Sequence, residues 1–204
     1  MKIICVGRNY VDHIKELNNA TPGDPVIFMK PETAIPIKNM PFFYPYFSQD
    51  VQHEVEIVLR IDKVGKNIEE QFAYKYYSEI GIGIDFTARD LQAQLKSKGL
   101  PWELAKAFDG SAPVSEKFIP KNNFPDLKNI NFSLKVNNIE KQNGNTSLML
   151  FSFDYIISFV SKYITLKKGD LIFTGTPAGV NAVQVGDTLE AFIENESLLQ
   201  IKIK

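Results

Sequence analysis

Apolar side chains fall on every second position at Val55, Ile57, Leu59 and Ile61, within residues 52–61, and again at Ile80, Ile82, Ile84 and Phe86. A period of two predicts two strands, each with one apolar face. On the other face of the first strand the same period sets Glu54 beside Glu56, and in the second strand Asp85 shares its face with Gly81 and Gly83, which leave room for close approach. Two carboxylates so placed repel each other, and without a cation or a proton between them at least one has its pKa raised, a cost with no structural return. An isolated Glu-x-Glu is also what a solvated outer face presents. Together with Asp85 the pair makes an all-oxygen set suited to a hard divalent cation, magnesium first and manganese second.

Elsewhere the pattern predicts short elements. Residues 1–6 read as a strand, and residues 12–17 as a short helix that puts His13 and Glu16 three apart on one face. A carboxylate at that spacing can orient an imidazole as a general base; a surface helix with an exposed His and Glu looks the same. Asn-Asn, Pro-Gly and Asp-Pro mark residues 18–25 as a loop, so the first 24 residues are expected to carry a mobile lid. Residues 26–31 read as a strand closed by proline, and residues 41–47, rich in aromatics and proline, as a core wall or subunit contact. Residues 65–77 hold a turn and then a helical pattern. Residues 86–96 form an amphipathic helix whose Arg89 and Gln92 are donors for a substrate carboxylate, or an ordinary face with Arg89 paired to an acid. Lys106, just before a Gly/Ser/Pro loop, reads as a surface charge.

The last third is mainly strand. Phe132, Leu134 and Val136 alternate before a turn at Asn137-Asn138, and residues 188–194 and 198–204 form a hairpin that finishes the sheet. Ile156, Phe159, Val160 and Tyr163 share the inner face of a helix over 154–163. The loop 175–180 can offer backbone N–H groups and the Thr176 hydroxyl to an anion but lacks the Gly-Lys-Ser/Thr of a phosphate loop, and Gly81-Ile82-Gly83 lacks the third glycine of a dinucleotide fingerprint.

Composition narrows the class. The 204 residues contain no linker-like stretch, which predicts one domain over 1–204, and 44% apolar against 23% charged residues supports a sizeable core. A net charge of -1 argues against a nucleic-acid partner, and a lone cysteine, Cys5, excludes an intramolecular disulfide or a cysteine-rich zinc site. The N-terminal apolar run is too short for a signal-peptide core and no run is long enough to span a membrane, so a cytoplasmic location is expected, with no membrane partner.

The motifs Gly7-Arg8-Asn9-Tyr10-x-x-His13-x-x-Glu16, His53-Glu54-Val55-Glu56, Asp85-x-Thr87-Ala88-Arg89-Asp90-x-Gln92, Gly99-Leu100-Pro101-Trp102, Lys106-x-Phe108-Asp109, Gly144-Asn145-Thr146 and Gly169-Asp170-Leu171-Ile172-x-Thr174-Gly175-Thr176-Pro177-x-Gly179-Val180 span nearly the whole chain. In this order they resemble the fumarylacetoacetate hydrolase family, in its short single-domain acylpyruvase and oxaloacetate decarboxylase branch. The resemblance implies an α+β fold, a mixed β-roll or sandwich with short helices, and a homodimer. It implies Mg²⁺ or Mn²⁺ on Glu54, Glu56 and Asp85, a lid-borne acid/base pair in His13 and Glu16, a catalytic Lys106, and Arg8, Arg89, Gln92 and Thr176 around a small 2-oxo acid. Glu32 and Asn138 depart from the family pattern, which has a small hydroxyl residue and a glycine there. The implied chemistry is hydrolysis of acylpyruvates or decarboxylation of oxaloacetate through a metal-stabilised enolate. The alternatives are an isomerase, hydratase or keto-enol tautomerase on related 2-oxo dicarboxylates, a Mg²⁺ nuclease, or a metal-binding scaffold.

Overall fold

The structure, a computed structural model, describes residues 1–17, 19–38 and 40–204; Asn18, which opens the predicted loop, lies outside them. The strands of the first half are β1 (Ile3–Gly7), β2 (Val26–Lys30), β3 (Val51–His53), β4 (Val55–Ile61), β5 (Tyr77–Ile84) and β6 (Thr87–Ala88). Those of the second half are β7 (Ile119–Pro120), β8 (Asn131–Val136), β9 (Ile139–Asn145), β10 (Leu171–Phe173), β11 (Asn181–Ala182), β12 (Thr188–Ile193) and β13 (Glu196–Lys202). The helices are α1 (Val11–Glu16), α2 (Glu70–Ala73), α3 (Arg89–Ser97), α4 (Glu103–Lys106) and α5 (Phe153–Tyr163). The fold is mixed α+β with short helices, as the sequence implies.

A six-stranded sheet runs β2-β1-β10-β4-β5-β7, with β1 and β10 parallel and the other neighbours antiparallel. Ile3, Ile4, Cys5 and Val6 of β1 and all of β10 are buried, so these interior strands are apolar on both faces instead of alternating. A separate four-stranded antiparallel sheet, β13-β12-β8-β9, does alternate: Phe132, Leu134, Val136, Leu189, Ala191 and Ile193 point into one core with Ile57, Leu59 and Ile80. The C-terminal hairpin therefore belongs to this second sheet and does not extend the first. Asn137 and Asn138 turn it at φ of 51° and 66°, which asparagine tolerates, so the missing glycine is accommodated.

The strand read over residues 52–61 is broken. β3 lies in a small sheet, β11-β3-β6, while β4 lies in the large one, and Glu54 sits at the joint with its carbonyl accepting from the Asp85 N–H at 2.8 Å. The partner strand likewise stops at Ile84, one residue before Asp85. Both breaks occur where the two sheets part, and they turn the acids inward.

The glycines beside this joint do make room. A Cβ on Gly83 would lie 2.5 Å from the Phe173 ring, and one on Gly81 would lie 2.7 Å from Phe118. Gly83→Ala is therefore expected to cost about 1–3 kcal/mol of stability by overpacking, readable as a lower urea midpoint with unchanged slope.

The aromatic segment is divided. Phe42 is buried and stacks on Phe86 with centroids 4.1 Å apart, whereas Phe43, Tyr46 and Phe47 are exposed. In α5, Ser152 caps the N-terminus by accepting from the Tyr155 N–H, and Ile156, Ile157 and Val160 form the inner face. Phe159 is only half-buried and Tyr163 is exposed, because the buried stripe is centred on Ile157 and leaves those two at its margin. No helix among the described residues is long and apolar enough to cross a membrane. The lid predicted over residues 1–24 cannot include β1, an interior strand hydrogen-bonded on both sides; only the segment from Arg8 onward lies outside the sheet.

Candidate active site

Glu54, Glu56 and Asp85 are all buried, and one carboxylate oxygen from each lies within 4.8 Å of the other two. Register produces this convergence. Glu56 pairs with Gly83 across β4 and β5, which places Asp85 opposite Glu54 where the strands end.

Cations surround two of the three acids. Lys106 Nζ donates to Glu54 Oε2 and Asp85 Oδ2, each at 2.8 Å, and Arg89 donates to Glu54 Oε1. Lys30 Nζ pairs with Asp85 Oδ1 at 2.7 Å, so each Asp85 oxygen faces an ammonium group. Among the described residues Glu56 has no cation in direct contact. Its Oε2 accepts only from the Gly175 N–H at 2.7 Å.

The electrostatics follow from those partners. Burial alone would raise Glu54, but Lys106 and Arg89 outweigh it and hold its carboxyl well below the usual range. Burial, then Asp85 and Glu54, push Glu56 well above that range, with the Gly175 N–H opposing. Lys106 is raised because Asp85 and Glu54 overcome its desolvation. An oxygen-only trio in which one buried carboxylate lacks a direct cationic partner among the described residues is a fitting donor set for a divalent cation.

A test follows from Glu56. A carboxyl raised in the folded state binds its proton more tightly there than in the unfolded chain, so its contribution to stability is present below the unfolded value and is lost as pH climbs through the folded one. Glu56→Gln in EDTA is expected to match the wild type near pH ~4 and to be the more stable protein at pH ~8. Urea denaturation at the two pH values checks this, and saturating Mn²⁺ should reverse the order at the higher one.

The remaining expected residues converge on the same cavity. Its lining includes Arg8, His13, Arg89, Gln92, Lys106 and Thr176 alongside the three acids. His13 Nδ1 is 3.1 Å from Glu16 Oε2, and Glu16 Oε1 accepts from the Gly179 N–H at 3.0 Å. The loop read as an anion cradle thus binds the protein's own carboxylates, Glu56 through Gly175 and Glu16 through Gly179. Arg89 also donates to Gln52 and Gln92, so it is paired to an acid and still keeps N–H groups free. Thr176 Oγ1 accepts from Gln142 at 2.8 Å, which leaves its O–H able to donate. Lys106, read alone as a surface charge, is instead buried, because α4 turns its last residue under the sheet junction.

Two residues were missed by sequence reasoning. Lys30 is fully buried at the end of β2, where its ammonium also reaches Ser111 Oγ at 3.0 Å and the Lys106 carbonyl, tying Asp85 to α4. A lysine at an inward position of an apolar strand was the available signal. Gln142 accepts from the Val55 N–H at 3.0 Å, contacts His53 at 2.9 Å and donates to Thr176, linking the second sheet to the site. Nothing local in the sequence marks it.

Comparison with known proteins shows the family. The Fumarylacetoacetate (FAA) hydrolase C-terminal family matches residues 2–203. The chain is 46% identical to mouse (Mus musculus) oxaloacetate tautomerase FAHD1, mitochondrial, over 99% of this chain and 91% of that protein. It is 40% identical to a mitochondrial oxaloacetate decarboxylase of Dictyostelium discoideum, over 94% and 88%. The crystal structure of fumarylpyruvate hydrolase from Pseudomonas aeruginosa in complex with Mn²⁺ and pyruvate superposes with a TM-score of 0.92 at 31% identity, over 100% of this chain and 89% of that one. With residues 2–203 matched by the family and 46% identity to a relative over 99% of its length, the chain belongs to the fumarylacetoacetate hydrolase family.

Proposed function

We propose that this protein is a divalent-cation-dependent enzyme that moves a proton between C3 and the 2-oxo oxygen of oxaloacetate, interconverting its keto and enol forms. One observation carries the reading: an imidazole oriented by a carboxylate closes the cavity floored by Glu54, Glu56 and Asp85. The 46% identity to a tautomerase over almost the whole chain supports this reaction within the 2-oxo acid class.

His13 Nδ1–H donates to Glu16, leaving Nε2 as the lone-pair atom that takes the C3 proton; the C–H pair moves into the enol double bond, and Nε2–H then protonates the oxygen. A bound Mg²⁺ or Mn²⁺ supplies Lewis-acid polarisation of that oxygen. Lys106 adds positive charge beside it, and the spare N–H groups of Arg89 and the Thr176 O–H orient the substrate. The manganese and pyruvate named for the Pseudomonas hydrolase support both the ion and the substrate class.

The same imidazole can activate water, which makes acylpyruvate cleavage the second reading, with oxaloacetate decarboxylation beside it; each passes through the pyruvate enolate. α1 carries His13 to the wall of the cavity and is tied to the 175–180 loop by the Glu16–Gly179 hydrogen bond, so opening that bond would widen the way in for a four-carbon acid. A homodimer is the expected assembly, and Ile37, Met40, Phe43 and Tyr46 are among the exposed apolar residues that such a contact could cover.

Oxaloacetate, acetylpyruvate and fumarylpyruvate, each with Mg²⁺ and with EDTA, followed by ultraviolet absorbance and pyruvate release, test the proposal. The expected result is EDTA-sensitive keto-enol exchange of oxaloacetate; no acceleration with any of the three overturns it.

A further inference from the structure

We infer that Arg8 and Lys96, both held against the Trp102 ring, form a second anion subsite that receives the far carboxylate of a 2-oxo dicarboxylic acid. The inference rests on the 2-oxo acid reading of the site and identifies which members of that class fit.

Arg8 Cζ lies 5.8 Å and Lys96 Nζ 5.1 Å from the Trp102 ring centroid, and all three side chains line the cavity that holds the acids. An aromatic face holds a cation in place without neutralising it, so both charges stay available to a ligand. Among the described residues neither cation has a carboxylate partner, and the buried Arg8 Nε has no hydrogen-bond acceptor. A buried N–H left unmet costs free energy that an incoming oxygen would recover. The backbone adds a second sign of constraint. Arg8 stands at φ of 61°, a left-handed conformation unusual outside glycine, which turns its side chain off the end of β1 and over the cavity.

Charge balance points the same way. Four cationic side chains, Arg8, Arg89, Lys96 and Lys106, line the cavity against three carboxylates, Glu54, Glu56 and Asp85. Adding a divalent ion makes the surplus larger, and a dianion offsets more of it than a monoanion. The other two cations are already committed to Glu54 and Asp85. Burial, with Arg89 and Arg8 alongside, lowers Lys96 to about 8, the behaviour of an ammonium crowded by other cations and short of an anion.

Trp102 is the only tryptophan in the chain, so its emission reports this subsite alone. Mn²⁺-loaded protein is titrated with malate, which has the four-carbon skeleton of oxaloacetate and does not react by this route, and with lactate, which keeps the 2-hydroxy acid head and lacks the far carboxylate. The expected result is a saturable change with malate and a much weaker one with lactate. Lys96→Met should weaken malate binding about tenfold, as loss of a charge-assisted contact does, and Lys96→Arg should restore it. In kinetics the ratio of kcat/KM for oxaloacetate over acetylpyruvate should fall at least fivefold in Lys96→Met, through KM. Equal responses to malate and lactate, or malate binding unaltered in Lys96→Met, overturn the subsite. Failure of the wild type to turn over either 2-oxo acid would instead overturn the reaction assignment and leave the binding comparison standing as its own test.

Discussion

Glu56→Ala is expected to abolish divalent-ion-dependent turnover of oxaloacetate, lowering the rate at saturating Mg²⁺ by about a thousandfold or more. Lewis-acid stabilisation of developing charge amounts to several kcal/mol, and each ~1.4 kcal/mol is a factor of ten in rate. Glu56 is the acid without a cationic partner, bound only by the Gly175 N–H. Removing it therefore relieves the apo fold of a buried, charge-starved carboxyl while depriving an ion of a donor. The substitution should leave a folded protein, at least as stable in EDTA as the wild type, with no activity for Mg²⁺ to restore. A Glu56→Ala enzyme still accelerated by Mg²⁺ to within tenfold of the wild type would show that the acidic trio is not where the ion acts.

The second large effect belongs to His13. His13→Ala should lower turnover by about 10²–10⁴-fold, the usual contribution of a positioned acid/base group, while Mn²⁺ affinity changes little because the imidazole is not among the three donors. Glu16→Gln should fall between the two proteins. It keeps an acceptor for His13 Nδ1 but loses the charge that favours the imidazolium, and its hold on Gly179 weakens. The separation of rate from ion affinity is what distinguishes a proton-moving residue from one that merely shapes the cavity. Unaltered keto-enol exchange in His13→Ala would remove the imidazole from the reaction.

The site was legible in the sequence to the extent that local periodicity encodes it. A period of two put Glu54 and Glu56 on one face, helical spacing put His13 beside Glu16, and the glycines opposite were correctly read as space for a neighbour, which proves to be Phe173 at Gly83 and Phe118 at Gly81. Period says which face a side chain takes but not which strand lies across from it. The break at Glu54 arises because β3 and β4 pair in different sheets, a consequence of partners far away in the chain. Lys30 meets Asp85, and Gln142 meets Val55, across similarly long separations. Lys106 shows the same limit from another direction. A charged residue before a loop looks solvated until two carboxylates from distant strands are found around it. The family motifs named Lys106 and Trp102 where composition and spacing did not, while Lys96 stands out only once the cavity is seen in three dimensions.

Calorimetric titration of the metal-stripped protein with Mn²⁺ tests the central claim most directly. A single saturable uptake step in the wild type, lost in both Glu54→Ala and Glu56→Ala while each variant still unfolds cooperatively, is the predicted result. Absence of any uptake by the wild type, or equal affinity in Glu56→Ala, would contradict it.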